Sequence, residues 1–288
     1  MLHDAIVVGG SYAGMAAALQ LLRAHRSVLV IDSGLRRNRF ASHSHGFLGQ
    51  DGVDPAAIAS ASRRQLEAYP TLTWIDGLAT GASGVRDAFA ITTSDGATHA
   101  ARRLLLATGV ADELPPLPGL AERWGRSVFE LGRGRIGVVA AGPMSVHQAA
   151  LLPEWGEITF FPNGALVLDP AARADLERRG VAVEDTPVAG LEGEADIRLA
   201  DGRLLAFAGL FTASRCVPAT PLAEAMGCAL METPMGIQVR ANDAKETSVP
   251  GVFACGDLAR VPHSVSLAVG DGAWAGAQVH RSLVFPET

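Results

Sequence analysis

Cysteine is scarce in this sequence. Only three of its 288 residues are cysteine (Cys216, Cys228 and Cys255), and no two are close together. That pattern excludes a disulfide framework or a cysteine-rich metal site, and it fits a reducing cytosol. A surplus of cationic charge is also missing. The chain has 24 Lys and Arg against 30 Asp and Glu, a net charge of −6, so no nucleic-acid partner is expected. No run of the chain reads as a membrane span. Ala5 to Leu22 is uncharged and long enough, but it is interrupted by Gly9, Gly10 and Gly14 and follows Asp4 rather than a basic segment. Ile136 to Pro153 is broken by Gly, Pro, His and Gln. Targeting segments, low-complexity tracts and solenoid repeats are not found either. The expectation is a cytoplasmic protein without a membrane partner, 48% hydrophobic and able to fill a large core in one or two domains.

The most informative stretch is the first one. A strand (Ala5 to Val8) meets a tight turn, Gly9-Gly10-Ser11-Tyr12-Ala13-Gly14, and then a helix of small residues from Met15 to Leu22. A second strand, Ser27 to Ile31, leads into Asp32 and Ser33. This is the order of a dinucleotide-binding unit. Gly9 permits the turn and Gly14 allows close packing of helix and strand. The helix N-terminus offers N–H groups to a pyrophosphate, and an acidic residue about 20 positions on binds ribose hydroxyls. Ser11 replaces the middle glycine of G-x-G-x-x-G, so the signature is degenerate.

A second opening of the same kind lies at Arg135 to Ser145, with a helix expected from Ser145 to Leu152 and a strand from Glu157 to Phe161. Between the two openings, Leu72 to Ile75 reads as a strand, and Phe89 to Thr93 and Thr98 to Arg102 read as a hairpin around Ser94-Asp95-Gly96. Arg103 to Ala107 reads as a short buried strand ending at Thr108-Gly109. The proline-rich Leu114 to Gly119 reads as an interdomain linker. Further on, a helix is expected at Ala171 to Arg179, a strand at Val181 to Glu184, a hairpin at Asp201-Gly202 and one apolar strand at Leu205 to Ala213. The chain closes with a strand into Gly256-Asp257 and a helix from Val265 to Leu283. The predicted fold class is α/β, with two Rossmann-like, doubly wound three-layer domains.

Four motifs in order, the Gly9 to Gly14 turn with Asp32, Leu106-Ala107-Thr108-Gly109, Ala254-Cys255-Gly256-Asp257 and Val269-Gly270-Asp271-Gly272, resemble the low-molecular-weight thioredoxin reductases and related FAD-dependent disulfide oxidoreductases. Arg37-Asn38-Arg39-Phe40 with His45-Gly46-Phe47-Leu48 and Asp51 resembles the branch of gliotoxin-type dithiol oxidases. The resemblance implies an FAD-binding domain from residues 1–112 plus 243–288, with a second, NAD(P)-binding-like domain at 113–242 inserted into it. It implies FAD held by Gly9, Ser11, Tyr12, Ala13, Gly14, Asp32, Ser33, Arg37, Asn38, His45, Ala107, Thr108, Gly109, Gly256, Asp257, Ser264 and Val265. Asp257 would meet the ribityl chain, and the helix starting near Ser264 and Val265 would point its N-terminus at the flavin. His263, just before that helix, is a candidate for proton transfer. A homodimer is implied too. The partner would be a small thiol or disulfide, or a redox protein.

The chain departs from that family in two places. The redox-active Cys-x-x-Cys that relatives carry is absent between Phe129 and Ile136, whether lost, deleted or omitted. Without it, electrons cannot pass through an internal dithiol. The second glycine turn is Ala140-Ala141-Gly142-Pro143-Met144-Ser145, where Pro143 removes an N–H. No acidic residue or arginine pair follows the next strand, so NADPH or NADH binding is disfavoured. Three readings stand at this point: an FAD-dependent oxidoreductase acting directly at the flavin, a non-catalytic or redox-sensing flavoprotein, and a flavoenzyme reduced by a ferredoxin-like protein. The catalytic residues stay unassigned, and no metal is expected.

Overall fold

The computed structural model describes residues 1–126 and 134–286. The segment expected to have carried the Cys-x-x-Cys therefore lies, for residues 129–133, outside the described residues. The chain divides into two compact units, Met1–Ala111 with Cys216–Thr288, and Asp112–Arg215.

The first unit begins β1 (Leu2–Val8), α1 (Tyr12–Arg23), β2 (Val28–Asp32), α2 (Pro55–Glu67), β3 (Leu72–Asp76), β4 (Ala79–Val85), β5 (Ala88–Thr93), β6 (Thr98–Leu106) and β7 (Val110–Glu113), the last running across the division. The second unit follows with α3 (Leu120–Arg123), β8 (Gly134–Val139), α4 (Met144–Leu151), β9 (Gly156–Phe161), α5 (Pro170–Arg178), β10 (Ala182–Val183), β11 (Val188–Glu192), β12 (Asp196–Leu199), β13 (Leu204–Ala206) and β14 (Gly209–Phe211). The return comprises β15 (Arg215–Pro218), α6 (Leu222–Ala225), β16 (Leu230–Thr233), β17 (Gly236–Val239), β18 (Val252–Ala254) and α7 (Val265–Val284).

The main sheet of the first unit runs β3-β2-β1-β6-β5-β4, with β18 also on β6. Strands β3, β2, β1, β6 and β18 are parallel, and the β4–β5 hairpin is antiparallel. Alternation along the central strands feeds two cores. Ala5, Val7, Val28, Val30, Leu105 and Phe253 face α1 and α7; Ile6, Val8, Leu29, Ile31, Leu104 and Ala254 face the side of α6. Burial on both faces explains why these strands read as continuous apolar runs. In the second unit the parallel sheet β10-β9-β8-β14 packs α4 and α5 on one face. Its other face packs Ile197, Leu199 and Phe207 of the β11–β13 meander region.

The structure revises several expectations. Arg103 to Ala107 is not a separate strand. Thr98 to Leu106 is continuous, its first half antiparallel to β5 and its second half parallel to β18 on the same edge. Leu205 to Ala213 is not one strand, because the chain changes sheets between β13 and β14. Leu114 to Gly119 is not a free linker: Pro118 O accepts from Leu191 N at 2.8 Å, and Leu114 and Leu117 pack on the second unit's core. The return to the first unit falls at Arg215/Cys216, not at residue 243, because β15, β16 and β17 form one small sheet and Val239 packs in the first unit's core. Among the described residues, no helix is long and apolar enough to cross a membrane, and no group of His, Cys, Asp or Glu could hold a metal ion.

Candidate functional site

Four parallel strands of the first unit, β1, β2, β6 and β18, end at one edge of the sheet. The loops that follow them carry Gly9 to Ser11, Ser33, Ala107 to Gly109 and Cys255 to Asp257. The chain order reverses direction between β1 and β6, the position where open α/β sheets bind ligands.

Packing dictates the sequence of the turn. Gly9 has φ +105°, and a Cβ there would lie 2.3 Å from Ala107 O. A Cβ on Gly14 would lie 1.8 Å from Gly9 O, so the first turn of α1 can sit against the strand end only without side chains. Gly9 N is bonded to Ile31 O at 2.8 Å, and Gly10 N donates to Asp32 Oδ1 at 3.1 Å. Ser11 is the N-cap of α1 and its side chain makes no capping bond. The helix therefore starts with backbone donors that its own cap residue does not satisfy, a cradle suited to an anion.

Other predicted residues gather around this turn. Asn38 Nδ2 donates to Tyr12 Oη at 3.3 Å, and Tyr12 Oη donates to Pro55 O at 3.4 Å. The Arg37 guanidinium lies 3.8 Å from Asp257 Oδ2. Gly256 N donates to Asp271 Oδ2 at 2.9 Å, and Asp271 is also paired with Lys245, the chain's only lysine. Burial pushes the Cys255 thiol up beside this pair, so Cys255 packs as an inert buried group. Ser264 caps α7 by accepting from Leu267 N at 3.1 Å, and Val265 opens the helix. The loop holding His45 is tied to that helix through Ser266 Oγ, which donates to Gly46 O at 2.8 Å. His45 itself is partly exposed, 3.5 Å from Asp51. Helix α7 reaches α1 through two further close approaches, since a Cβ on Gly272 or Gly276 would stand 2.1 Å from Ala13 O or 2.4 Å from Ala17 O.

One cluster was not legible in the sequence. Cys216 is buried, its Sγ 3.5 Å from Arg37 Nη2 and 3.9 Å from His263 Nδ1. Arg37 Nη1 donates to His263 Nδ1 at 3.0 Å. A guanidinium can only donate, so Nδ1 accepts and the ring of a neutral His263 carries its proton on Nε2. All three cysteines are free.

The second glycine turn is built differently. Pro143 sits at the N-cap of α4 in the αR region. Ala141 N donates to Ser145 Oγ at 3.1 Å and Ala140 N to Phe161 O at 2.9 Å. A Cβ on Gly142 would meet nothing within 4 Å. Few backbone donors are left over, and no close approach demands the glycine.

The profile of the pyridine nucleotide-disulphide oxidoreductases matches residues 3–272 of the chain. The chain belongs to that family. It is 31% identical over 304 residues to the thioredoxin reductase tcpT of Claviceps purpurea, covering 98% of this chain and 94% of the relative. Among solved structures, an oxidoreductase from Agrobacterium tumefaciens is 51% identical, with TM-score 0.96 and full coverage of both chains. HlmI is 32% identical with TM-score 0.88, covering 99% of this chain and 93% of that one. The scaffold is thus thioredoxin-reductase-like. The cysteine pair expected of the resemblance is not in the sequence.

Proposed function

We propose that this chain is an FAD-dependent oxidoreductase whose first unit holds the flavin cofactor and which exchanges electrons with a small thiol or disulfide, or with a redox protein, directly at that site. The observation that carries the reading is the convergence at one sheet edge of the Gly9–Gly14 turn, Asp32, the Arg37–Asp257 pair and the capped start of α7. In this reading the N-terminus of α1 takes the pyrophosphate, with Ser11, Tyr12 and Ala13 at its first turn. Asp32 and Ser33 take the adenosine ribose. Ala107, Thr108 and Gly109 line the turn's other side, and Asn38 fixes Tyr12. Gly256 and Asp257 hold the ribityl chain, while Ser264, Val265 and His45 lie at the flavin end. FAD, when bound, supplies a two-electron acceptor and donor. The N-terminal dipole of α7 favours negative charge beside it. His263 is the group assigned to exchange a proton with a thiol substrate, its Nδ1 taking the proton once Arg37 withdraws from it. A homodimer and a cytoplasmic location belong to the same proposal.

The donor is a separate question. The turn at Ala140 to Ser145, with the N–H groups of Ala140, Ala141 and Ser145 bonded internally and Pro143 in its midst, favours a donor other than NADPH or NADH. A reduced ferredoxin-like protein or a thiol is the second reading. A purely structural or sensing role for the flavin is the third.

The deciding measurement is the visible spectrum of the anaerobic protein. An oxidised flavin band is expected, unchanged by NADPH or NADH and bleached by a dithiol or a reduced protein donor. Bleaching by nicotinamide would overturn the donor assignment. A flavin inert to every donor would favour the sensing role, and the absence of flavin after added FAD would overturn the whole reading.

A further inference from the structure

Beside the turn lies an arginine three of whose five N–H groups are held by carboxylates. Arg63 on α2 donates from Nε to Glu67 Oε1 at 2.8 Å, from Nη1 to Asp76 Oδ1 at 2.7 Å and from Nη2 to Asp76 Oδ2 at 3.0 Å. Its Cζ stands 4.5 Å over the Trp74 ring. Trp74 is fixed in turn, donating from Nε1 to Asp76 Oδ1 at 2.9 Å. The far edge of the indole reaches the glycine turn: a Cβ on Gly10 would lie 2.6 Å from Trp74 Cη2 and 2.6 Å from Asp32 Cβ. Asp32 and Asp76 are register partners on β2 and β3, hence about 5 Å apart. Arg63 also neutralises Asp76, so Asp32 is not opposed by a second uncompensated carboxylate.

We propose that Arg63, held over Trp74 by Asp76 and Glu67, is the stacking platform for the adenine ring of the dinucleotide bound at Asp32. This rests on the reading that the first unit binds FAD. An arginine recruited for phosphate presents its N–H edges. Here three of the five N–H groups are held by Glu67 and Asp76 and the guanidinium carbon lies over the indole, yet the side chain keeps 36% of its exposure. The outer face is what a ligand can meet, and a flat aromatic ring is the chemistry that fits a guanidinium face. The position agrees, because the base of a nucleoside whose ribose meets Asp32 continues outward past the neighbouring strand end. Gly10 is then needed for a second reason: a side chain there would displace the indole that supports the platform.

The test compares FAD with FMN, which lacks the adenosine half. The protein purified with its flavin is incubated with mixtures of FAD and FMN, and the flavin retained after gel filtration is identified. Separately, ADP is titrated as a displacer. In the wild type FAD is preferred over FMN and ADP competes. Arg63→Ala is expected to cut the FAD-over-FMN preference and the ADP affinity about tenfold, with FMN binding nearly unchanged. Arg63→Lys, which keeps the charge but loses the plane, is expected to behave like Arg63→Ala. The proposal falls if the preference is unchanged, if the lysine variant keeps it in full, or if FAD and FMN weaken together, which would make Arg63 a buttress between α2 and β3. A wild type that takes FAD and FMN equally also overturns the platform while leaving the flavin site standing. A wild type that takes neither overturns the flavin reading itself.

Discussion

Gly14 shows how a single missing side chain can hold a binding turn together. A methyl group there would overlap a backbone oxygen, which cannot swing aside as a flexible side chain could. Gly14→Ala is expected to lower stability by about 2–3 kcal/mol and to release flavin on dilution, as read by urea unfolding and by flavin in the filtrate. A second residue-scale prediction concerns the surface of the second unit. The Arg203 guanidinium, helped by Thr186, holds the Glu184 carboxyl down from 4.5 to about 2. The folded state binds a proton there less readily than the unfolded one, so the pair's stabilisation is fully present above about pH 4.5 and is lost as pH falls toward 2. Because both side chains are partly exposed and screened by solvent, the effect is small. Glu184→Gln should remove it, seen as a smaller drop in urea midpoint between pH 6 and pH 3 than in the wild type. The glycine turn and Asp32 were readable because they form one local motif. The Cys216 cluster was not, since Arg37 lies 179 residues from Cys216 and 226 from His263, and only the fold joins them.

At the scale of elements, α7 draws its position from its N-terminal end and its flank. The Ser264 cap satisfies a first-turn N–H, and Ser264→Ala should cost about 1 kcal/mol with little change in the rest of the helix. Gly276 works along the flank. Gly276→Val would push α7 off Ala17, costing about 3 kcal/mol and weakening flavin retention although the residue is in the middle of the helix. Denaturation curves with and without added FAD separate the two outcomes. Long periodic helices such as α7 and the apolar parallel strands were legible from pattern alone. α2 went unremarked because its body is rich in Ser, Arg and Ala, although Asp54 accepting from Ala56 N and Pro55 at the first helical position are start signals. The apolar run through β13 and β14 misled for the opposite reason. Hydrophobicity marks burial but does not say at which residue a chain leaves one sheet for another.

At the scale of the molecule, two compact units with separate cores imply two separable sets of linkages. Added FAD should raise the unfolding temperature of the first unit selectively, by an amount equivalent to about 2.7 kcal/mol when its concentration is a hundred times Kd. Calorimetry would show one component moving and the other stationary. Movement of both would mean that the units unfold as one. The structural divisions fall at Ala111/Asp112 and at Arg215/Cys216. The return was misplaced because β15 to β17 are short strands whose pairing in the small sheet only the folded chain displays.

Every Lys or Arg side chain in this protein is an arginine except Lys245. A protease that cuts only after lysine therefore finds one bond in the whole polypeptide. That bond lies where Lys245, at φ +64°, clasps Asp271 beneath the Gly256 loop. Cutting it would sever β18 and α7 from everything before them. The digestion rate thus becomes a clock for how often that corner opens, with each scission counting one escape of the clasp, and a ligand seated against Gly256 and Asp257 would slow the clock without blocking the protease.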